Sequence, residues 1–361
     1  MTHATVKLQI EELFRKQVRK DKKITNAFLL VHSEKTGLHL NLAEGPGENG
    51  KPSPQQPVYM ASVGKLFTSV IISILHEQKV LSFEDPISDY LDSGLIDGLH
   101  IYKKKEYSGE IQIRHLLNQT SGLPDNFYPL FDKLLADHTF DISPREAVEW
   151  AKAHLKPQAV PGKRSYYTDT NYHLLGLIVE KVCEEPFHAV LKRLIFDPVA
   201  MKQSYMLLNS EPEKASTQKE AGFYFNQTRL NEIRGFAGLD FSGGGVVATM
   251  EDLLKFMKAL TGHQLISENT LNIMIHDKAR LYPGWDYGYG IWQVRPVPLL
   301  LPKKYQSWGV LGATGAFMFY HPELEAHIIG SFNHQSWQRK CVRFMFKVMG
   351  KLAAYNKSFS T

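Results

Sequence analysis

The chain has 361 residues, 43% of them hydrophobic and 22% charged, a balance typical of globular proteins that excludes a disordered or fibrous chain. Its 42 Lys and Arg against 37 Asp and Glu leave a net charge of +5. That is too weak over this length for a nucleic-acid footprint, and the tight run Lys103-Lys104-Lys105 reads as a solvated loop. Two cysteines, Cys183 and Cys341, cannot build a disulfide framework and read as small buried hydrophobes.

Residues 4–20 are read as an amphipathic helix, with Val6, Ile10, Leu13 and Val18 at roughly helical spacing among charges. This segment lacks the unbroken apolar core of an export signal. The apolar run Val70-Ile71-Ile72-Ser73-Ile74-Leu75 is too short to span a bilayer. The expectation is therefore a cytoplasmic protein with no membrane and no nucleic-acid partner. Ala27 to His32 reads as a buried strand and Gly37 to Ala43 as its hairpin partner, ended by the Gly/Pro-rich stretch GPGENGKPSPQQP. Phe67, Val70, Ile71 and Ile74 follow the i, i+3, i+4, i+7 pattern of a helix buried on one face.

From Asp85 to about Arg234 the patterns are helical, as in Ile113–Asn118, Pro144–His154 and Tyr172–Cys183, and strand-like alternation is scarce. Asn126–Asp137 and Leu281–Trp285 are read as loops. A helix is expected to start near Met250. Short β-branched and aromatic runs follow at Tyr289–Val294, Phe317–Tyr320 and His327–Phe332, and a helix from about Trp337 to Ala354 closes the chain. This order predicts an α/β domain built by both termini, residues 1–84 and 236–361. A mainly helical insert, residues 85–235, interrupts it, with the active site between them.

Three segments could carry chemistry. Ser62-Val63-Gly64-Lys65 puts a hydroxyl and an ammonium on one helix face, where a neighbouring amine can take the serine proton; the other reading is an ordinary helix cap. A second SxxK, Ser216-Thr217-Gln218-Lys219, lies in a polar segment and reads as solvated surface. Tyr167-Thr168-Asp169-Thr170-Asn171-Tyr172 offers a tyrosine that could relay protons beside a lysine, or else packing aromatics with Asp169 as a cap. Trp308 to Gly315 could be a strand whose edge amide joins an oxyanion hole, or a Gly-rich hairpin. There is no GxSxG, Walker A or HExxH pattern. The 15 histidines are scattered without metal-ligand spacing, and His321, His327 and His334 read as surface or satisfied core residues. Gly243-Gly244-Gly245 lacks the GxGxxG form of a nucleotide loop.

SxxK, then YxN about a hundred residues on, then a Gly-containing third motif near the C-terminus: this order resembles the serine β-lactamase and penicillin-binding-protein family, closest to its class C β-lactamase and esterase-like branch. The resemblance runs from about residue 25 to 350. It includes IQIRHLLNQTSGLPD, YTDTNYHLLGLIVE, FSGGGVVATMEDLL and GATGAFMFYHP. It implies a β-lactamase-like fold, an antiparallel sheet flanked by helices with an inserted all-helical domain.

It further implies an acyl-enzyme on Ser62, with Lys65 assisting its deprotonation and Tyr167 as base or relay. The oxyanion hole would be formed by the N–H groups of Ser62 and Ala313. Substrate contacts would come from Asn126, Asp169 and the third-motif triplet Val310, Leu311 and Gly312. No cofactor and no metal are implied.

Two departures stand out. Asp169 replaces the Asn of YxN, and because a carboxylate only accepts it should raise the Lys65 pKa. A positive Lys65 should in turn help the Tyr167 phenolate form. Val310 replaces the Lys or His that opens the third motif, which weakens recognition of an anionic substrate. The leading expectation is an esterase or amidase on a small ester, amide or peptide. The alternatives are a D-amino-acid peptidase or penicillin-binding protein with weak β-lactamase activity, and an inactive family member with a binding role.

Overall fold

The structure is a computed structural model that describes residues 2–48, 50–298 and 301–357. Its centre is an eight-stranded sheet in the spatial order Ala279–Tyr282, Trp285–Tyr287, Trp292–Val294, Trp308–Gly312, Ala316–His321, Ala326–Ser331, Ala27–Ser33, Leu38–Glu44. Every neighbouring pair is antiparallel. The strand from the start of the chain therefore lies between its hairpin partner and the last strand of the chain.

The alternation of Ala27–Ser33 explains why helices cover both faces. Ala27, Leu29 and Val31 join one apolar cluster with Val6, Ile10 and Phe14 of helix His3–Lys20 and Phe344, Met345 and Val348 of helix Lys340–Lys357. Phe28 and Leu30 join another with Val63, Leu66 and Phe67. A strand with apolar residues on both faces has nowhere to meet water.

Helix Gly64–Glu77 fills the second layer, and every residue from Gly64 to Leu75 is buried. The expectation of burial on one face is thus corrected. The sheet covers one side of this helix, while Leu174, Leu175 and Ile178 of helix Thr170–Cys183 belong to the same continuous cluster. Helix Met250–Thr261 starts near Met250 as expected, with the Thr249 hydroxyl accepting from the Asp252 amide at 3.2 Å.

Residues 85–235 carry the helices Ile113–Leu117, Phe127–Ala136, Pro144–His154 and Thr170–Cys183. They are not purely helical. Ile101–Tyr102 pairs with Lys105–Glu106 and Tyr224–Phe225 with Thr228–Arg229. Tyr205–Met206 joins Val246–Ala248, which also pairs with Val58–Tyr59. Most of Asn126–Asp137, read as a loop, is the helix Phe127–Ala136, whose Leu130, Phe131 and Leu134 are buried. Leu281–Trp285 lies in the hairpin of Ala279–Tyr282 and Trp285–Tyr287. Cys341 is buried, whereas Cys183 is only half-buried. Among the described residues no helix is long and apolar enough to cross a membrane.

Candidate active site

The chain leaves strand Val58–Tyr59 and turns sharply. Ala61 has φ +50°, in the left-handed region, and Ala61–Val63 form a 3-10 turn before helix Gly64–Glu77. For a residue with a Cβ that conformation costs about 1–2 kcal/mol, so the surrounding packing imposes it. Ser62, partly exposed, sits inside the turn, and Lys65 follows three residues on.

The Lys65 side chain is wholly buried. Its Nζ donates to Ser62 Oγ at 3.3 Å and to the Gly243 carbonyl at 2.7 Å, and it forms a salt bridge with Asp169 Oδ1. It also lies 5.2 Å from the ring centroids of both Tyr167 and Tyr172. The Gly243-Gly244-Gly245 run now has a reason. A Cβ on Gly243 would stand 2.9 Å from Asp169 Oδ1 and 3.2 Å from Lys65 Nζ, and one on Gly244 would stand 2.2 Å from the Asp240 carboxylate. These glycines let the backbone pass close enough to supply the carbonyl that holds the ammonium.

Tyr167 rests edge-on against Tyr287, with ring centroids 5.8 Å apart, and beside Trp292 at 5.7 Å. Lys65 and Ser62 are among the groups that favour its ionised form. The hydroxyl, the ammonium and the phenol singled out in the sequence therefore converge. Their electrostatics differ from expectation in one respect. Burial works against the Lys65 ammonium, but the Asp169 charge and hydrogen bond outweigh it and raise its pKa, in the direction the Asp-for-Asn replacement predicts. Tyr167 was expected to ionise more readily beside that cation. Its pKa is instead raised, because burial and then the Asp169 charge outweigh the pull of Lys65.

Two further carboxylates face this cluster, and sequence reading missed both. Burial first, then repulsion from Asp169, pushes Asp125 up to about 6. Its Oδ1 accepts from the amides of Asp169 at 2.9 Å and Phe127 at 3.5 Å. Burial also pushes Asp240 up to about 6, against the pull of Tyr59 and Lys65. The Tyr59 hydroxyl donates to Asp240 Oδ2 at 2.6 Å, and the Gly245 amide donates to the same oxygen. The Pro-Asp of SGLPD and the Asp before SGGG were the available signals.

The third motif lies where expected, but its side chains do not. Gly312 ends strand Trp308–Gly312 against the serine turn, with an imagined Cβ 2.6 Å from the Met60 carbonyl and 3.1 Å from the Ala61 methyl. Ala313 follows in the turn to the next strand. Val310 is fully buried in the apolar cluster that contains Val63 and Leu66, and Leu311 packs partly buried against the opposite cluster. Val310 offers no surface to a substrate, because strand alternation drives it into the core, while Leu311 is directed to the opposite face.

Asn126 is also corrected. It is wholly buried, and its Nδ2 donates to the Ala147 carbonyl at 3.0 Å and lies 3.1 Å from His173 Nδ1. The side chain thus joins helices Pro144–His154 and Thr170–Cys183 and does not face the cleft. The neighbouring Asp125 faces Asp169 in its place. The second SxxK is surface, as read: Ser216 Oγ donates to the Gln55 carbonyl at 3.4 Å, and Lys219 is exposed.

The Beta-lactamase family model matches residues 10–347. The chain belongs to the β-lactamase family. Relatives include "Penicillin-binding protein 4*" of Bacillus subtilis (strain 168), 27% identical over 254 residues that make up 66% of this chain and 52% of that protein. Another is the "D-alanyl-D-alanine-carboxypeptidase/endopeptidase AmpH" of Escherichia coli (strain K12), 24% identical over 309 residues, 80% of this chain and 72% of that one. The chain thus spans about half the length of the first of these. The fold of a D-amino acid amidase from Ochrobactrum anthropi SV3, in complex with D-phenylalanine, superposes with a TM-score of 0.79 at 18% identity, covering 97% of this chain and 99% of that one. EstCE1, "a hydrolase with promiscuous acyltransferase activity", gives 0.76 at 17% identity, with 97% and 99% covered. The β-lactamase-like fold read from the sequence is the fold of this chain.

Proposed function

We propose that this β-lactamase-family chain is a serine hydrolase that works through an acyl-enzyme on Ser62. The observation that carries the reading is the contact of Lys65 Nζ with Ser62 Oγ, 3.3 Å, made by a buried ammonium that also lies over the Tyr167 ring, 5.2 Å from its centroid. Lys65 donates to Ser62 Oγ, so the serine proton is directed elsewhere, and Tyr167 is the partner in reach. In this mechanism the ionised Tyr167 takes the Ser62 proton as Oγ attacks the acyl carbon. The same proton then passes from Tyr167 to the leaving oxygen or nitrogen. In the second half Tyr167 takes a proton from water and returns it to Ser62 Oγ as the acyl group departs. Lys65 stays charged and stabilises the phenolate. The amides of Ser62 and Ala313 would receive the oxyanion, with Ala313 brought to the serine turn by the end of strand Trp308–Gly312. The cleft would lie between the unit formed by 1–84 with 236–361 and the insert 85–235.

The substrate class follows from charge. Asp125 and Asp169 bring negative charge to this cluster, and the third motif supplies no cation. A small ester or amide with an uncharged or amine-bearing acyl part suits this field better than one bearing a carboxylate. The fold shared with a D-amino acid amidase supports an amino-acid amide as one such substrate. The penicillin-binding relatives keep the peptidase and β-lactam-binding alternative in view.

The test is intact mass after brief fluorophosphonate treatment. A single adduct on the wild type, absent in Ser62→Ala and formed ~10²–10⁴-fold more slowly in Tyr167→Phe, is the expected result. No adduct under conditions that label a known serine hydrolase overturns the reading. The raised Tyr167 and Lys65 pKa values then describe a disarmed site with a binding role.

A further inference from the structure

The net charge of +5 is unevenly distributed. Residues 1–23 and 337–361 together hold 13 Lys and Arg against three Asp and Glu, a net +10, which leaves the rest of the chain at −5. These segments are the terminal helices His3–Lys20 and Lys340–Lys357 with their flanks. The two helices lie antiparallel, side by side on one face of the sheet. Lys351 Nζ donates to Gln9 Oε1 at 3.1 Å toward one end, and Lys340 Nζ donates to Asp21 Oδ2 at 3.0 Å at the other.

A groove of about 400 Å³ runs between them. Lys340, Arg343 and Lys347, spaced i, i+3, i+7, line it from one helix, and Lys20 lines it from the other. Lys340 pairs with Asp21, while the exposed Lys20, Arg343 and Lys347 have no ion-pair partner among the described residues. Exposed Lys16 and Arg19 extend the field along the first helix. Helix stability does not account for this arrangement. Like charges on neighbouring turns repel. Lys340–Lys357 also holds no acidic residue, and Arg339 and Lys340 stand at the positive end of its dipole, where carboxylates are favoured.

We propose that this basic face docks on a bilayer surface rich in anionic phospholipid headgroups. Two other polyanionic partners fit it less well. A protein interface needs an apolar centre, and Leu8 is the one prominently exposed large hydrophobic residue of these helices. A nucleic-acid single strand needs free aromatic faces for its bases. Phe14, Trp337, Phe344 and Tyr355 are buried, and Phe346 lies against Trp285 and Tyr305. Both helices lie flat on the sheet, so neither projects into the groove of a duplex. A headgroup layer requires only a broad field of flexible cations, each worth a ~5-fold gain in binding. The contact is peripheral. It departs from the sequence expectation of no membrane partner, which rested on the lack of an apolar span. The sheet stands between this face and helix Gly64–Glu77, which follows Ser62. A docked chain therefore keeps the Ser62 cluster on the side away from the lipid, and its substrate would arrive from water. The docking itself does not depend on the reaction at Ser62.

The experiment is co-sedimentation of the protein with large phosphatidylcholine vesicles, with and without ~30% phosphatidylglycerol. Binding should require the anionic lipid and disappear at ~1 M NaCl, where the Debye length falls to about 3 Å. The triple variant Lys20→Gln, Arg343→Gln, Lys347→Gln should bind ~100-fold more weakly. The control Lys103→Gln, Lys104→Gln, Lys105→Gln loses the same charge from an exposed hairpin and should bind as the wild type does. Both variants alter exposed side chains and should melt as the wild type does. Equal binding to the two kinds of vesicle, a groove variant that binds like the wild type, or equal weakening in both variants overturns the proposal. So does tighter binding to duplex DNA or single-stranded RNA than to the anionic vesicles.

Discussion

The Lys65 ammonium and the Asp169 carboxylate form a salt bridge in which the lysine side chain has no solvent exposure and the aspartate side chain retains 12%. Asp169 is the group that raises both the Lys65 and the Tyr167 pKa against the needs of a proton acceptor. Asp169→Asn should therefore move the alkaline rise of Ser62 acylation at least ~1 pH unit lower, equivalent to about 1.4 kcal/mol. The rate of fluorophosphonate labelling between pH 6 and 10 measures this. An unmoved profile would remove Asp169 from the proton network.

Removing the cation should do the opposite. Lys65→Met leaves Asp169, Asp125 and Asp240 without a compensating charge in a buried site. Breaking a buried pair in this way costs about 3–5 kcal/mol near neutrality. The loss should shrink on acidification, as the stranded carboxylates take up protons. Thermal denaturation at pH 5 and pH 8 checks the sign, and labelling of Ser62 should fall ~10²–10⁴-fold.

Asp240 carries a stability cost that pH reveals. Its folded pKa of about 6 lies above the ordinary 3.8, so the native state holds a proton that the unfolded chain releases over that interval. Stability contributed by the protonated form is complete below about 4 and is lost as pH rises through about 6, to a total of about 3 kcal/mol. Asp240→Asn keeps an oxygen where Oδ2 accepts from Tyr59 and Gly245. Its melting temperature should exceed that of wild type at pH 7.5 and converge with it near pH 4.

Gly64 has no room for a side chain. A Cβ there would stand 2.1 Å from the Gly244 carbonyl oxygen, a backbone atom with little freedom to move. Gly64→Ala should destabilise the fold by roughly 1–3 kcal/mol through overpacking. It should also shift the neighbouring Gly243 carbonyl from Lys65, with a loss of labelling rate larger than the loss of stability alone explains. Denaturant titration and labelling kinetics on the same sample separate the two effects.

Adjacent Asp125 and Asn126 should behave differently. Asn126→Ala removes the buried hydrogen bond to the Ala147 carbonyl and should cost about 1–3 kcal/mol of stability with little change in KM. Asp125→Asn should raise stability at pH 7.5, by the same linkage as Asp240→Asn, because burial raises its folded pKa to about 6. It should abolish any acid limb near pH 6 in kcat/KM, the value at which Asp125 titrates. Steady-state kinetics on an ester substrate found by screening would read both.

The sheet strands and long helices were legible because burial imposes a period. Ala27–Ser33 and Pro144–His154 appear within a residue or two of their expected bounds. The proximity of Ser62, Lys65 and Tyr167 was legible because the motifs that hold them carry a local spacing. What stayed hidden depends on contacts between distant segments. The Asn126 side chain is held away by Ala147 and His173, and Asp125 is held by the Asp169 amide, all distant in sequence. No local pattern encodes that. Val310 was misread because its position in the motif suggested exposure, while the pleat of the strand directs it inward. The short strands Val58–Tyr59 and Val246–Ala248 are too brief for any periodicity, although they set the turn that presents Ser62.

Strand Ala27–Ser33 lies between Leu38–Glu44 and Ala326–Ser331. During synthesis its second edge must wait for Ala326–Ser331, about three hundred residues later, and the segments bearing Ser62, Tyr167, Gly243 and Gly312 wait with it. Such long-range closure is slow and leaves an open edge exposed meanwhile. A nascent chain that already holds Ser62, Lys65 and Tyr167 would not keep them in their final arrangement until strand Ala326–Ser331 closes the sheet.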